Sequence, residues 1–367
     1  MTAIEANNLT EQCDWFGQEN RTEARVTERL DVSGCLFLSL LPNGQTIPAL
    51  IWIFVLLTLF SLLVNGLTLF GLGRSEDLSW EPRVAFLKNL IFSDLMQTFT
   101  LAPAVIHSLV QRQTMAFSTW CYIQYFVGTA SIFSSLVTIT CMALERYLYV
   151  CHAIHYLVML TQVRLRVALS LIWVYSVSIS TINIALLHTG KEQKSERVTR
   201  GLLCEPDTME QHMGFPRASA VFRKVVGSST LLLCLLVYVF SFLRMYQDAR
   251  NAMIPFNAVN NAARKTVLFY CGMLFLQLLP LLFKVISDVI WEVEGTAAMV
   301  ALSSQSQSVP KAAAVLHMSL AAMLLVPPCI NPLVYGLRNA ETRRALLSPF
   351  QWWTQRRGRC ARREARR

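Results

Sequence analysis

Seven stretches of this chain are each long and oily enough to cross a bilayer, and that fact decides most of what the chain can become. A helix rises about 1.5 Å per residue, so about 20 predominantly apolar residues span the hydrocarbon core. The stretches lie near 47–72, 89–110, 120–144, 167–187, 225–243, 266–283 and 312–337. The third contains no Asp, Glu, Lys or Arg from Trp120 to Leu144. Lipid offers the backbone no hydrogen-bond partners, so each stretch must be helical. The expected fold class is an all-α integral membrane protein, a seven-transmembrane helix bundle over 47–337. Composition agrees, because 54% of the 367 residues are hydrophobic, only 15% are charged, and mean hydropathy is +0.42. A soluble domain of this length is more polar.

An odd number of crossings puts the termini on opposite sides, and Lys and Arg accumulate in cytoplasmic segments. With the N-terminus outside, the cytoplasmic segments hold Arg74, Arg83, Lys88, Arg146, Arg164, Arg166, Arg244, Arg250, Arg264, Lys265 and ten Arg from Arg338 onward. Several basic residues between Lys191 and Lys224 stay outside, so the tail decides the orientation. "NLT" at Asn8 and "NRT" at Asn20 are glycosylation acceptors, usable only outside. A plasma-membrane protein is expected, with residues 1–46 a flexible extracellular tail lacking the basic start and apolar core of a secretory signal. Residues 338–350 should form a short amphipathic cytoplasmic helix and 351–367 a basic tail. That tail, "RRGRCARREARR", can lie against anionic membrane lipid or act only as a stop-transfer and solubility segment. Cys360 within it is either a palmitoylation site or a free thiol. Outside, where disulfides persist, lie Cys13, Cys35, Cys121 and Cys204. Spacing does not fix their connectivity; a Cys121–Cys204 bond would pin the long loop over the bundle mouth and leave Cys13 and Cys35 as a second pair.

Ionisable groups inside a membrane are rare and expensive, which makes each a functional candidate. Asp94 in "NLIFSDLMQ" must face the bundle interior. There it can hold a cation or tie helices together, with Asn65, Ser135 and Asn331 as candidate partners. In "PPCINPLVYGLRN", Pro332 removes a backbone donor and bends the last helix, Asn331 can satisfy a freed carbonyl, and Tyr335 follows within a turn. Arg146, beside Glu145, closes the third helix. Counting back at helical spacing gives a stripe of Met142, Ile139, Ser135, Ile132, Gly128 and Tyr125 joining the mouth to the charged foot. The plain alternative for Glu145 and Arg146 is a snorkelling interface pair. A pocket near the mouth should be apolar, lined by Tyr125, Gly128, Thr129, Ile132 and Phe133, with Phe283 and His317 from the last two helices. Lys284 and Asp288 are spaced to pair with each other. No phosphate loop, nucleophile elbow, His-Glu-x-x-His or paired CxxC occurs, so neither an enzyme nor a cofactor is expected. Nothing points to nucleic acid.

These motifs carry a family. "MALERYLYVCHAIHY" resembles the third-helix foot of vertebrate odorant receptors, MAYDRYVAICxPLxY; "EPRVAFLKNLIFSDL" resembles their PMYFFLxNLSxxD; and "NPLVYGLRNAETRRALL" resembles their NPxIYxLRNxEVKxAL. Asn65 and Trp173 fall where rhodopsin-like G-protein-coupled receptors carry marker residues. The likeness runs from Asn65 to about Leu347. Departures are Glu145 for the family's Asp, Ala153 for its Pro, one Cys rather than three after the fourth helix, a sixth helix without KAxSTCxSH, and a longer N-terminal tail. The chain resembles a divergent, fish-type odorant receptor. The resemblance implies a small-molecule odorant as ligand and a heterotrimeric G protein, raising cAMP, as partner. It implies a switch formed by Glu145, Arg146 and Tyr147 with Asn331, Pro332 and Tyr335, and a Cys121–Cys204 disulfide. Asp94 and Ser135 match part of the internal sodium site of such receptors, with Pro327 and Pro328 where those receptors place polar groups. The alternatives are a rhodopsin-like receptor for a lipid, peptide or metabolite, and a channel or transporter; against the last stand the odd helix count and the absence of an internal repeat.

Overall fold

The computed structural model describes residues 28–30, 46–74, 81–111, 115–116, 118–189, 198–201, 209 and 217–251. It also describes helical positions at 272, 275, 279, 282, 325–326 and 328–333 within the last two apolar stretches. The glycosylation sequons, Cys13, Cys35, Cys204, Phe283, His317, Tyr335, the amphipathic helix and the basic tail lie outside the described residues.

Among the described residues the helices are α1 (Thr46–Arg74), α2 (Pro82–Gln111), α3 (Thr119–Cys151), the short α4 (Ala153–Met159), α5 (Gln162–Thr189) and α6 (Arg217–Asn251). Five of them are long and apolar enough to cross a membrane, and α4 is the exception. Each long helix outruns the apolar stretch that announced it. A hydropathy window stops where charge begins, but a backbone that bonds to itself can carry polar turns beyond the lipid. Thus α2 starts at Pro82, seven residues before its oily run. Proline is at home in the first turn because its missing N–H would have no partner there. The Glu81 carbonyl accepts the N–H groups of Val84 and Ala85 at 3.0 and 3.1 Å. This extension makes Arg83 a helical residue rather than a loop charge.

More than half of the apolar windows of α2 and α3 is buried, against under a third in α1, α5 and α6, so α2 and α3 form the centre. One core cluster joins four helices through Leu72, Leu87, Leu90, Ile139, Met142, Ala143, Leu165 and Ile172. A second packs Leu136 of α3 on Leu231 and Cys234 of α6, with Leu282 against them. At the other end of α3, Cys121 and Tyr125 pack against Leu187 of α5 and Met209. The two ends fix α5 as antiparallel to α3, and Leu136 meeting Leu231 while Tyr147 meets Phe240 makes α6 parallel to it. The outward faces stay apolar, with Trp52, Leu56, Leu63, Leu171 and Leu233 exposed, as lipid-facing helix surfaces must be.

One feature lay outside the helix-only expectation. Strands β1 (Glu28–Leu30), β2 (Met115–Ala116) and β3 (Val198–Gly201) form a sheet in the order β1-β3-β2. β1 runs parallel to β3 from Glu28↔Val198 to Leu30↔Arg200, and β2 antiparallel, with Met115↔Gly201. Part of the stretch read as a flexible tail is therefore strand. Segments this short carry no periodicity to read, because their backbone partners are remote in sequence.

Candidate functional site

Two polar nodes lie inside the bundle. The first is Asp94 of α2, which is 2% exposed. Asn331 donates Nδ2 to Asp94 Oδ2 at 2.8 Å, and Ser135 of α3 donates to Oδ1 at 3.5 Å. Two of the three partners named from sequence therefore meet Asp94. The third, Asn65, does something else. Its Nδ2 donates to the Pro328 carbonyl at 2.7 Å, to the Ser61 carbonyl at 2.9 Å and to Ser61 Oγ at 3.1 Å. The Pro328 carbonyl lies four residues before Pro332, and it is the one that the missing proline N–H leaves without its helical donor. The expectation that Asn331 would satisfy the freed carbonyl is corrected: Asn65 reaches it from α1, and Asn331 is spent on Asp94. Ser61 Oγ then meets Thr98 Oγ1 at 3.0 Å, and Thr98 donates to the Asp94 carbonyl at 2.8 Å. The described part of the last helix is thus tied to α1 and α2 by hydrogen bonds between buried groups, where an unmade bond is costly.

A sodium ion fits this node poorly. Ser135 contributes an oxygen, but Asn331 presents an N–H, and Pro328 offers no side-chain oxygen; Pro327 lies outside the described residues.

The second node is Glu145, 3% exposed at the far end of α3. Sequence set it beside Arg146, and those two do approach, with Arg146 Nε 3.5 Å from Glu145 Oε2. The closer cation is Arg83, whose Nε donates to Glu145 Oε1 at 3.0 Å. The Tyr156 hydroxyl donates to the same oxygen at 2.6 Å. Arg83 also stacks on the Tyr149 ring, its Cζ 3.7 Å from the centroid, and Tyr149 meets Tyr156 edge-on at 5.3 Å. Burial, and then the bond to the Glu145 carboxylate, push the Tyr156 phenol well above its usual range, so it stays a donor. The foot is a four-residue box that clasps α2, α3 and α4 around one carboxylate. Sequence reasoning missed Arg83 and Tyr156. Both stood inside the quoted motifs, but a partner 62 residues away in the chain leaves no local pattern. Tyr147 turns aside, its hydroxyl 3.2 Å from His152 Nε2 and its ring 5.7 Å from Phe240 of α6.

A third set of bonds holds the middle. Trp173 of α5 donates to Asn89 Oδ1 at 2.8 Å, Asn89 donates to Thr138 Oγ1 at 2.7 Å, and Ser93 donates to Ser134 Oγ at 2.8 Å. Each α2 residue here meets α3, so the two central helices are stitched at several levels.

The five pocket candidates on α3 do not share one surface. Tyr125 is buried against Leu187 and Met209, and Phe133 meets the Tyr175 ring of α5 edge-on at 6.3 Å. Gly128 faces α2, where an added Cβ would sit 4.0 Å from Thr100 Oγ1. Thr129 and Ile132 are half-buried. Cys121 is disulfide-bonded; its expected partner, Cys204, lies outside the described residues. Among the described residues no cluster of three or more His, Cys, Asp or Glu could hold a metal.

The chain is 26% identical to a QRFP-like peptide receptor of Branchiostoma floridae over 45% of its length and 43% of that protein's. It is 25% identical to human melanopsin over 80% of the chain and 60% of that protein. It is 22% identical to human olfactory receptor 2A12 over 83% of the chain and 90% of that receptor. The chain thus matches less than two thirds of the first two relatives and most of the third. They differ in kind, and what they share with this chain is the family. The family described as "7 transmembrane receptor (rhodopsin family)" matches residues 64–335, well over half of the chain, from next to Asn65 to Tyr335. The chain belongs to the rhodopsin family of seven-transmembrane receptors, a family of receptors rather than enzymes.

Proposed function

We propose that the protein is a plasma-membrane receptor with its N-terminus outside, which binds a small odorant within the bundle near the Cys121 end. Binding favours an arrangement that opens the Glu145 end to a heterotrimeric G protein and raises cAMP. The carrying observation is that the last helix is fastened to α1 and α2 through Pro328 and Asn331, while the foot of α3 is fastened separately through Glu145. Two fastened elements on one rigid pair of central helices make a two-state device. A ligand shifts such a device only by binding its two states unequally. The odorant reading is supported by the three quoted motifs and by olfactory receptors matched over most of their length. Glu145, Arg146, Tyr147, Asn331, Pro332 and Tyr335 are proposed as the switch, and Tyr125, Thr129, Ile132 and Phe133 with Phe283 and His317 as pocket residues. In cells reporting cAMP, an odorant-evoked response should disappear in Arg146→Ala at unchanged surface expression; an intact response would sink the proposed switch. A receptor for a peptide or metabolite is the competing reading, and activation by such ligands but by no odorant would favour it.

A further inference from the structure

Arg223 is a half-buried cation of α6, and contacts two turns away on the same helix fix its height. The Tyr175 and Thr230 hydroxyls meet at 2.6 Å, and Phe133 packs on Tyr175, so positions 133, 175 and 230 share one level of α3, α5 and α6. From that level α5 climbs toward the Cys121 end with rising residue number, and α6 with falling number. Eight residues along α5 lead to Asn183 and seven along α6 lead to Arg223, rises of about 12 and about 10.5 Å. The two face one height on neighbouring helices. Ser219, Arg223 and Thr230 lie on a single stripe of α6 at helical spacing, and Thr230 shows that the stripe faces α5. Arg223 is half-buried there.

Two buried polar groups near this height lack a hydrogen-bond partner among the described residues. Asn183 Oδ1 lies at this height and Ser219 Oγ one turn beyond Arg223, about 6 Å further along α6; both atoms are buried without such a partner, in residues 2% and 0% exposed. A native interior rarely leaves such atoms unsatisfied unless they serve something. Arg223 is itself engaged, but a guanidinium carries five N–H donors in a fork that matches a carboxylate. Residues 119–135, 175–189 and 217–230 contain no Asp or Glu, so these helices bring only positive charge to this height.

We propose that this level is the head-group site for a small organic acid. The ligand's carboxylate meets the Arg223 fork and the Ser219 hydroxyl, and Asn183 Oδ1 accepts from a hydroxyl or N–H on the ligand. The apolar remainder lies along Tyr125 and Phe133. The inference rests on the ligand-binding reading above and narrows it from odorants at large to acidic ones.

The test separates binding from signalling. Purified full-length receptor in detergent is heated with a panel of straight-chain and aromatic carboxylic acids and, in parallel, with their methyl esters. Acids should raise the melting temperature and esters of the same skeleton should not. Arg223→Gln should weaken the acid effect about ten- to a hundredfold in apparent affinity, and Ser219→Ala by less. Equal stabilisation by acids and esters, no stabilisation by any acid, or an acid affinity unchanged in a folded Arg223→Gln variant would each overturn the proposal. Acid-specific stabilisation without any ligand-evoked cAMP would leave this site standing and overturn the signalling role instead.

Discussion

Arg83 gives the sharpest test of how the foot of α3 is held. Arg83→Ala removes an ion pair of 3.0 Å whose arginine and glutamate side chains are 18% and 2% exposed. A hydrogen bond to a charged group contributes about 1.5–3 kcal/mol, and stranding a buried charge costs about 3–5 kcal/mol. Glu145 is not stranded, because Tyr156 at 2.6 Å and Arg146 at 3.5 Å remain. The lower range therefore applies, about 2 kcal/mol. Losing the stack on Tyr149 adds about 0.5–1 kcal/mol. The coupling between Arg83 and Glu145 alone should be about 2 kcal/mol, about thirtyfold in an equilibrium constant. It is read from a double-mutant cycle of Arg83→Ala and Glu145→Gln, using reversible unfolding of the purified receptor in mixed micelles. Arg83→Lys should recover less than half, since lysine lacks the planar fork that bonds Glu145 while stacking on Tyr149. If the single effects add to within about 0.5 kcal/mol, Arg83 and Glu145 act independently and the box does not exist as described.

The same box predicts a signalling change. With Arg83 removed, Arg146 becomes the nearest cation to Glu145 among the described residues, so its hold tightens; basal cAMP per receptor at the surface should fall, and a rise would refute the competition. Asn65→Ala strips the Pro328 carbonyl of its donor, a loss of about 1–3 kcal/mol, whereas adding Pro332→Ala restores a helical N–H. The double variant should melt above Asn65→Ala alone, and an equal or lower melting temperature would break the proposed link. Trp173→Phe keeps the edge-on contact with Phe92 but deprives Asn89 of a donor, so unfolding should become easier by about 1 kcal/mol; no measurable change would mean that the bond is not made. In Cys204→Ser, Cys121 should become reactive to a thiol-specific label in unreduced receptor; continued protection would assign Cys121 another partner.

The sequence by itself determined the helices, because lipid leaves an apolar backbone no other conformation and because twenty oily residues have one meaning. It also singled out Asp94, Glu145, Arg146, Asn331 and Pro332, since charge or proline in oil costs free energy that function must justify. It could not say who meets whom. Glu145 and Arg146 are adjacent in the chain, yet Arg83 holds the carboxylate more closely. Asn331 adjoins the proline, yet Asn65, on another helix, takes the freed carbonyl. Gly128 shares a stripe with Tyr125, yet the two face different neighbours. Each of these choices depends on the height and rotation at which one helix packs against the next. Side-chain volumes summed across several helices set those quantities, and no window along the chain contains them. Only the tertiary structure decided which polar group at each level found a partner.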